Sequence, residues 1–383
     1  MKDRVCLVAV LAIVPLVFFC QEQAHIKDTV RVDYTMAEQT VEWLRFINTG
    51  ADDASVKQFF MEKVAPTSGC QAIIHHWARF RTWNEETFYT FIMEALGRVP
   101  TDQPVTGGDG SLTAFGRRKK LWQSALADPD RLGQDIEALK KIRLKDKALE
   151  IAKAYLPVEA VVSNDFYIVA FGASTAFSVG KENGYDLLQL SKTPEGDIDT
   201  EVVISTFAHE MHHSGFSHCI QTYTPGLEDD EHVFLVGILA AEGMPTYFIN
   251  KPFDHLDVLR SSPEPLYQAL ARDWENHLAS MRALYRKAQD DILSNLRGDI
   301  GQHEIMDSWM GGVQGPAYAL GSNMFSVIEA SLGVDSAKSV LKNVLRFPSV
   351  YNRAAKIGNE QGGSYFVFDD DFIKKVSAYH GTE

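Results

Sequence analysis

His209, Glu210 and His213 are the residues of this sequence whose types and spacing could do chemistry together. In the run His209-Glu210-Met211-His212-His213, two imidazoles stand four positions apart. On a helix that spacing puts both on one face, a turn apart, where they can reach a single zinc ion. The Glu beside the first His then points toward the water on that metal and can take its proton. His212 falls off the shared face and reads as a neighbour or a solvent-facing residue, not a ligand. Two histidines of an ordinary core or surface helix would give the same letters, so the flanking residues have to decide.

They predict a buried helix. Asp199 or Thr200 can cap it, and Val202, Val203, Ile204, Phe207 and Ala208 supply the apolar surface that a buried helix needs. Gly215 predicts a stop just after the second His, which would leave the metal open to a cleft. Two imidazoles need a third protein ligand, and three segments compete for the role. His218 approximates the metzincin pattern H-E-x-x-H-x-x-G-x-x-H, but Gly215 and His218 each come one residue early. The acidic run Glu228-Asp229-Asp230-Glu231, followed by His232, reads as a solvated loop or the first turn of a helix, where negative charge is favoured. Glu242 is the one carboxylate inside the strongly apolar stretch Val233–Ile249. A buried carboxylate needs a compensating partner, and a metal supplies one, which favours Glu242.

With these residues in view, the segment resembles the gluzincin group of zinc metallopeptidases. The resemblance makes His209 and His213 the first ligands, Glu210 the base and Glu242 the ligand on a second helix. The step Ala241-Glu242-Gly243 and the later run Gly315-Pro316-Ala317-Tyr318-Ala319-Leu320-Gly321 look like bacterial families known as zinc-dependent peptidases of unknown function. The firm part covers about residues 155–250, with a weaker echo near 303–330. Thermolysin-like members carry an Asp four residues after the ligand Glu, bracing the first His. Here that place holds Thr246, so the brace must come from elsewhere. The resemblance also implies a strand bordering the cleft that pairs with an extended substrate. Tyr185–Leu190 is the candidate, with an ordinary core strand as the alternative. It further asks for a donor to the oxyanion of the tetrahedral intermediate, a role open to Tyr318 or His303. His75 and His76 read as packing or surface residues.

The rest of the chain has to position these groups. Periodic apolar residues predict helices for most of 35–156: Met36, Val41, Leu44 and Ile47 before Gly50; Val56, Phe59, Phe60 and Val64 before Pro66; then Phe88–Leu96, 112–126 and 136–156. Pro100 to Gly110 reads as an irregular loop. After Pro157 the pattern shortens. Val158–Val162, Phe166–Phe171, Ala176–Val179 and Tyr185–Leu190, separated by turn residues, predict a small sheet, antiparallel or mixed. From Thr200 the helical period returns. The expected fold is therefore α+β and mostly helical, and the resemblance adds a zincin-like catalytic core. The regions read as 25–156, a helical N-terminal part; 157–250, the catalytic core; and 251–383, a helical part completing the cleft.

Composition bounds the partners. The 383 residues carry 37 Lys plus Arg against 51 Asp plus Glu, a formal charge of −14. So acidic a chain, without a basic stripe, is a poor match for nucleic acid. Lys2 and Arg4 precede an apolar run from Val5 to Phe19, so residues 1–24 read as a signal peptide or N-terminal anchor of an exported bacterial protein. Any membrane association would go through that anchor or through a lipid. Beyond Cys6 and Cys20 in that segment only Cys70 and Cys219 remain, enough for one disulfide if they meet. The expected activity is a zinc-dependent metallohydrolase, a peptidase acting on peptide or protein substrates. The alternatives are a catalytically silent zincin-fold binding module and a zinc hydrolase of non-peptide amides or esters.

Overall fold

The computed structural model describes residues 27–78, 82–107, 112–179, 181–193, 195–227, 230–251, 256–261, 265–312 and 314–379. The export segment, with Cys6 and Cys20, lies outside the described residues, as do Glu228 and Asp229. Strand β1 (Thr29–Asp33) opens the described chain and leads into α1 (Thr35–Asn48), α2 (Asp53–Phe59), α3 (Ser68–Ala78) and α4 (Glu85–Leu96). Then come α5 (Ala114–Ala127), α6 (Pro129–Lys141) and α7 (Leu144–Ala154). Three strands follow, β2 (Ser163–Val169), β3 (Ala176–Val179) and β4 (Glu182–Asp186). The remainder is helical: α8 (Thr200–Tyr223), α9 (Phe234–Pro245), α10 (Leu256–Ser261), α11 (Pro265–Ala279), α12 (Met281–Leu296), α13 (Gln302–Ile305), α14 (Pro316–Leu332), α15 (Val334–Val340), α16 (Phe347–Glu360) and α17 (Asp370–Ser377). The protein is α+β and mostly helical with one small mixed sheet.

The sheet runs β1-β2-β4-β3. β1 and β4 flank β2 in parallel, and only β3 runs antiparallel, against β4. This differs from the sequence reading at three points. Val158–Val162 is not a strand, and Val158 is 90% exposed. β1, too short and too polar to stand out, joins the sheet from the N-terminal side. β4 ends at Asp186, and Leu187–Gln189 turns into a 3₁₀ segment, so the predicted Tyr185–Leu190 strand is only partly a strand and lies inside the sheet. Both edges of β4 are occupied by neighbours, and no substrate can add to it. On that side of the sheet the edge belongs to β3.

Why the register holds is visible at single residues. Asp186 is buried, and its carboxylate accepts the backbone N–H groups of Phe171, Gly172 and Leu188 and the Gln189 amide. Burial pushes its pKa up to about 6, partly offset by those four donors. At Gly184 a Cβ would lie 2.1 Å from the Phe177 ring, so glycine lets β3 close on β4. One face of the sheet packs on α8 through stacked Phe166 and Phe207, centroids 4.6 Å apart, with Tyr185 against the same Phe207. The other face meets α1 and α3, where Gly69 lies against Met36, Tyr167 and Val169. α8 is thus covered by the sheet, α7 and α9. That explains why Val203, Phe207, Met211, Phe216 and Ile220 are all buried around most of its circumference. Cys70 and Cys219 are both buried free thiols, so the possible disulfide is not formed.

Candidate active site

α8 presents the H-E-x-x-H face. Asp199 caps the helix by accepting from the Val202 N–H, which satisfies one of the donors exposed at a helix start. The expected stop at Gly215 is overturned: the helix runs eight residues further, to Tyr223. Gly215 serves packing instead. A Cβ there would lie 2.3 Å from Leu156 Cδ1, so the glycine lets the chain after α7 close on α8. Access to the histidines cannot come from an early helix end.

The third group arrives on α9. Glu242 Oε2 lies 3.2 Å from His209 Nε2 and 3.6 Å from His213 Nε2, with all three side chains only 11–18% exposed. Within the α8 motif itself, ligand atoms of His209, Glu210 and His213 lie within 4.8 Å of one another. Burial by itself would push the Glu242 carboxyl up, but His213 and then His209 hold it well below the usual carboxylate range. Burial would likewise lower the His213 imidazole, but the Glu242 carboxylate overrides it and carries it up to about 9. A buried carboxylate facing two imidazole nitrogens is a concentrated demand for positive charge.

α9 is placed by a backbone contact. A Cβ on Gly243 would lie 2.4 Å from the Gly321 carbonyl carbon, and one on Gly321 would lie 2.3 Å from the Leu239 carbonyl oxygen. Helices α9 and α14 therefore cross with their backbones touching, which only paired glycines permit. Glu242 is the neighbour of Gly243, and Tyr318 sits one turn before Gly321 on the same helix. The crossing brings the phenol to the carboxylate. Burial, followed by the charges of Glu242 and Glu210, raises the Tyr318 hydroxyl well above its ordinary value, so it stays protonated and can donate. Tyr318 lies in the first turn of α14.

The remaining candidates lie elsewhere. His303 is solvent-facing on α13, 3.6 Å from Asp307, and cannot be the oxyanion donor. His218 points off the other side of α8, where its Nδ1 accepts the Val161 N–H at 3.4 Å. His212 is fully buried, its Nε2 3.3 Å from the Tyr155 carbonyl oxygen. Burial, then the His213 and His209 charges, push its pKa down to about 3 and keep it neutral. Asp230 caps a short 3₁₀ turn by accepting the His232 N–H, the structural alternative raised for the acidic run. His75 pairs with Glu182 on the surface, and His76 packs its ring on Phe177.

Two site residues were missed by sequence reasoning. After Pro245 the helix widens into a π turn, Thr246–Asn250, and Asn250 Oδ1 hydrogen-bonds His209 Nδ1. An amide oxygen only accepts, so the imidazole donates from Nδ1, and the ring is oriented with Nε2 toward Glu242. This is the brace that Thr246, itself buried, does not supply. Ser178, on edge strand β3, hydrogen-bonds Glu210 Oε2. Asn250 carried one signal, an amide closing a long apolar run. Ser178 carried none.

Residues 61–360 match the model of a family described as "Putative zinc dependent peptidase (DUF5700)". The chain belongs to that family. No curated protein and no solved structure matches it. The family description names zinc, and the donor set here suits that ion. Two imidazole Nε2 atoms, one on a ring oriented by Asn250, and one carboxylate oxygen converge where all three side chains are largely buried, as the three-protein-ligand pattern of a catalytic zinc site requires. Replacing Asn250 by Ala should therefore leave the fold intact and weaken zinc binding about 10- to 100-fold, measured by competition with a chromophoric chelator. Unchanged affinity would remove Asn250 from the bracing role.

Proposed function

We propose that this protein is a zinc-dependent metallohydrolase acting on peptide bonds, with His209, His213 and Glu242 as zinc ligands, Glu210 as the base and Tyr318 as the oxyanion donor. The observation that carries the reading is the meeting of Glu242 Oε2 with both imidazole Nε2 atoms, at 3.2 and 3.6 Å, directly beside Glu210. Three ligands, one of them anionic, would leave the bound ion with net positive charge and with room for a further group.

Zinc, when bound, supplies Lewis acidity, polarising the scissile carbonyl and acidifying water. Glu210 takes the proton of the attacking water on its carboxylate and later returns it to the leaving amine nitrogen. Tyr318, kept protonated by its surroundings, offers its O–H to the negative charge that develops on the carbonyl oxygen. Asn250 keeps His209 in the tautomer that presents Nε2. The half-buried position of Glu210 and the low exposure of the ligands limit bulk water around the reacting groups, which strengthens each of these interactions.

Export through the N-terminal segment, and peptides or proteins met outside the cytoplasm as substrates, complete the proposal. Its test is metal analysis of the purified protein together with a peptide library read by mass spectrometry. One zinc per chain, with peptide cleavage that a chelator abolishes and added zinc restores, is the expected result. Stoichiometric zinc without cleavage of any peptide would favour the binding module, and cleavage of amide or ester compounds alone the non-peptide hydrolase. Cleavage that survives complete removal of metal would overturn the reading.

A further inference from the structure

We propose that Ser178 is a positioning residue for Glu210, its hydroxyl on edge strand β3 holding that carboxylate in place through Oε2. The proposal rests on the peptidase reading above, in which Glu210 is the base.

The geometry is set by the sheet. Ser178 on β3 stands opposite Asn183 on β4 in the antiparallel register. Its Oγ lies 2.5 Å from Asn183 Oδ1 and also hydrogen-bonds Glu210 Oε2 on α8. Asn183 is fully buried, and its Nδ2 donates to the Lys181 carbonyl oxygen at 3.1 Å. That bond orients the amide, so the atom facing Ser178 is the oxygen, an acceptor. The Ser178 hydroxyl thus touches two acceptors with one proton to give.

The hydroxyl donates to the Glu210 carboxylate, because the charge-assisted bond is the stronger of the two. Asn183, itself held by Lys181, fixes Ser178 Oγ on the side of the sheet that faces α8. The edge strand thereby fixes the reach of the base.

The experiment compares Ser178→Ala and Ser178→Thr with wild type, using the full chain loaded with zinc. Expected for Ser178→Ala is a kcat lower by about 10- to 100-fold with KM, zinc content and Tm close to wild type. Threonine, which keeps the hydroxyl, should restore most of the loss. A merely structural serine would instead lower Tm and zinc content, or move KM, and threonine would not restore kcat; either pattern overturns the proposal. Crystal structures of wild type and Ser178→Ala give a readout independent of turnover. A Glu210 carboxylate rotated away from its wild-type position in the alanine variant supports the proposal, and an unmoved carboxylate overturns it. If wild type cleaves no peptide, the peptidase reading fails by itself while this structural comparison still decides the role of Ser178.

Discussion

Replacing Glu210 by Gln is expected to cut turnover by about 100- to 10,000-fold while the protein keeps its full complement of zinc, the usual range for loss of a positioned general base. The amide has nearly the shape of the carboxylate and still accepts the Ser178 hydroxyl, so the helix, the sheet and both imidazoles have no reason to move. What disappears is the ability to take a proton from water and deliver it to the amine. Steady-state kinetics on a substrate from the library, with metal content measured on the same sample, checks both halves. Turnover within a few-fold of wild type would remove Glu210 from the base role. Loss of zinc along with turnover would mean that Glu210 is a ligand, and would reassign the site.

The second large effect lies some distance from the chemistry. Gly321→Ala adds a single methyl at the α9–α14 crossing, where it would meet the Leu239 carbonyl oxygen at 2.3 Å and Gly243 Cα at 2.8 Å. Both are backbone atoms, which cannot swing aside as a flexible side chain could, so the helices must part. Overpacking of this kind typically costs about 1–3 kcal/mol, and the rigid partners put this case at the upper end. Parting the helices also separates Tyr318 from Glu242 and draws Glu242 off the imidazoles. Activity should fall by about 100-fold, since displacements near 1 Å are enough for that, and zinc affinity should fall with it. Gly237→Ala is the control. It lies on the same helix α9 with nothing within 4 Å of its Cβ, and should be neutral or stabilising by up to about 1 kcal/mol, as alanine is the better helix former. Thermal melts, zinc titration and kinetics on the pair would settle it. Equal behaviour of the two variants would show that the crossing does not control the site.

These two variants probe different levels at which the molecule is specified. Glu210 is written in a five-residue motif, because the α-helix itself relates positions i and i+4, and local geometry is enough to put both imidazoles on one face. Glu242 was legible for a related reason: a lone carboxylate in an apolar helix has to be answered by something, whatever the fold. Tyr318 was within reach only as one of two candidates; the structure buries it beside Glu242 and leaves His303 on the surface. The helical periods of the N-terminal half were equally readable, with α1 ending before Gly50, which adopts φ +84, and α4 matching its apolar run.

What local pattern could not reach depends on which distant segments touch. Asn250 meets His209 across 41 positions of sequence, and Ser178 meets Glu210 across 32, so neither partnership leaves a spacing to read. Gly215 looked like a helix stop because glycine often ends helices, yet its missing Cβ makes room for Leu156 while backbone hydrogen bonding carries the helix on to Tyr223. Strand order was hidden as well. Short strands show their length and alternation in sequence but not their neighbours, so the inner position of β4 and the edge position of β3 emerged only from pairing. By itself, then, the sequence determined the chemistry available: two imidazoles, a carboxylate beside the first of them and a second carboxylate in an apolar helix, each implied by short-range geometry or by the cost of burying charge. Tertiary structure alone decided how those groups are aimed, because aim is set by backbone contacts and hydrogen bonds between segments that the chain keeps far apart until it folds.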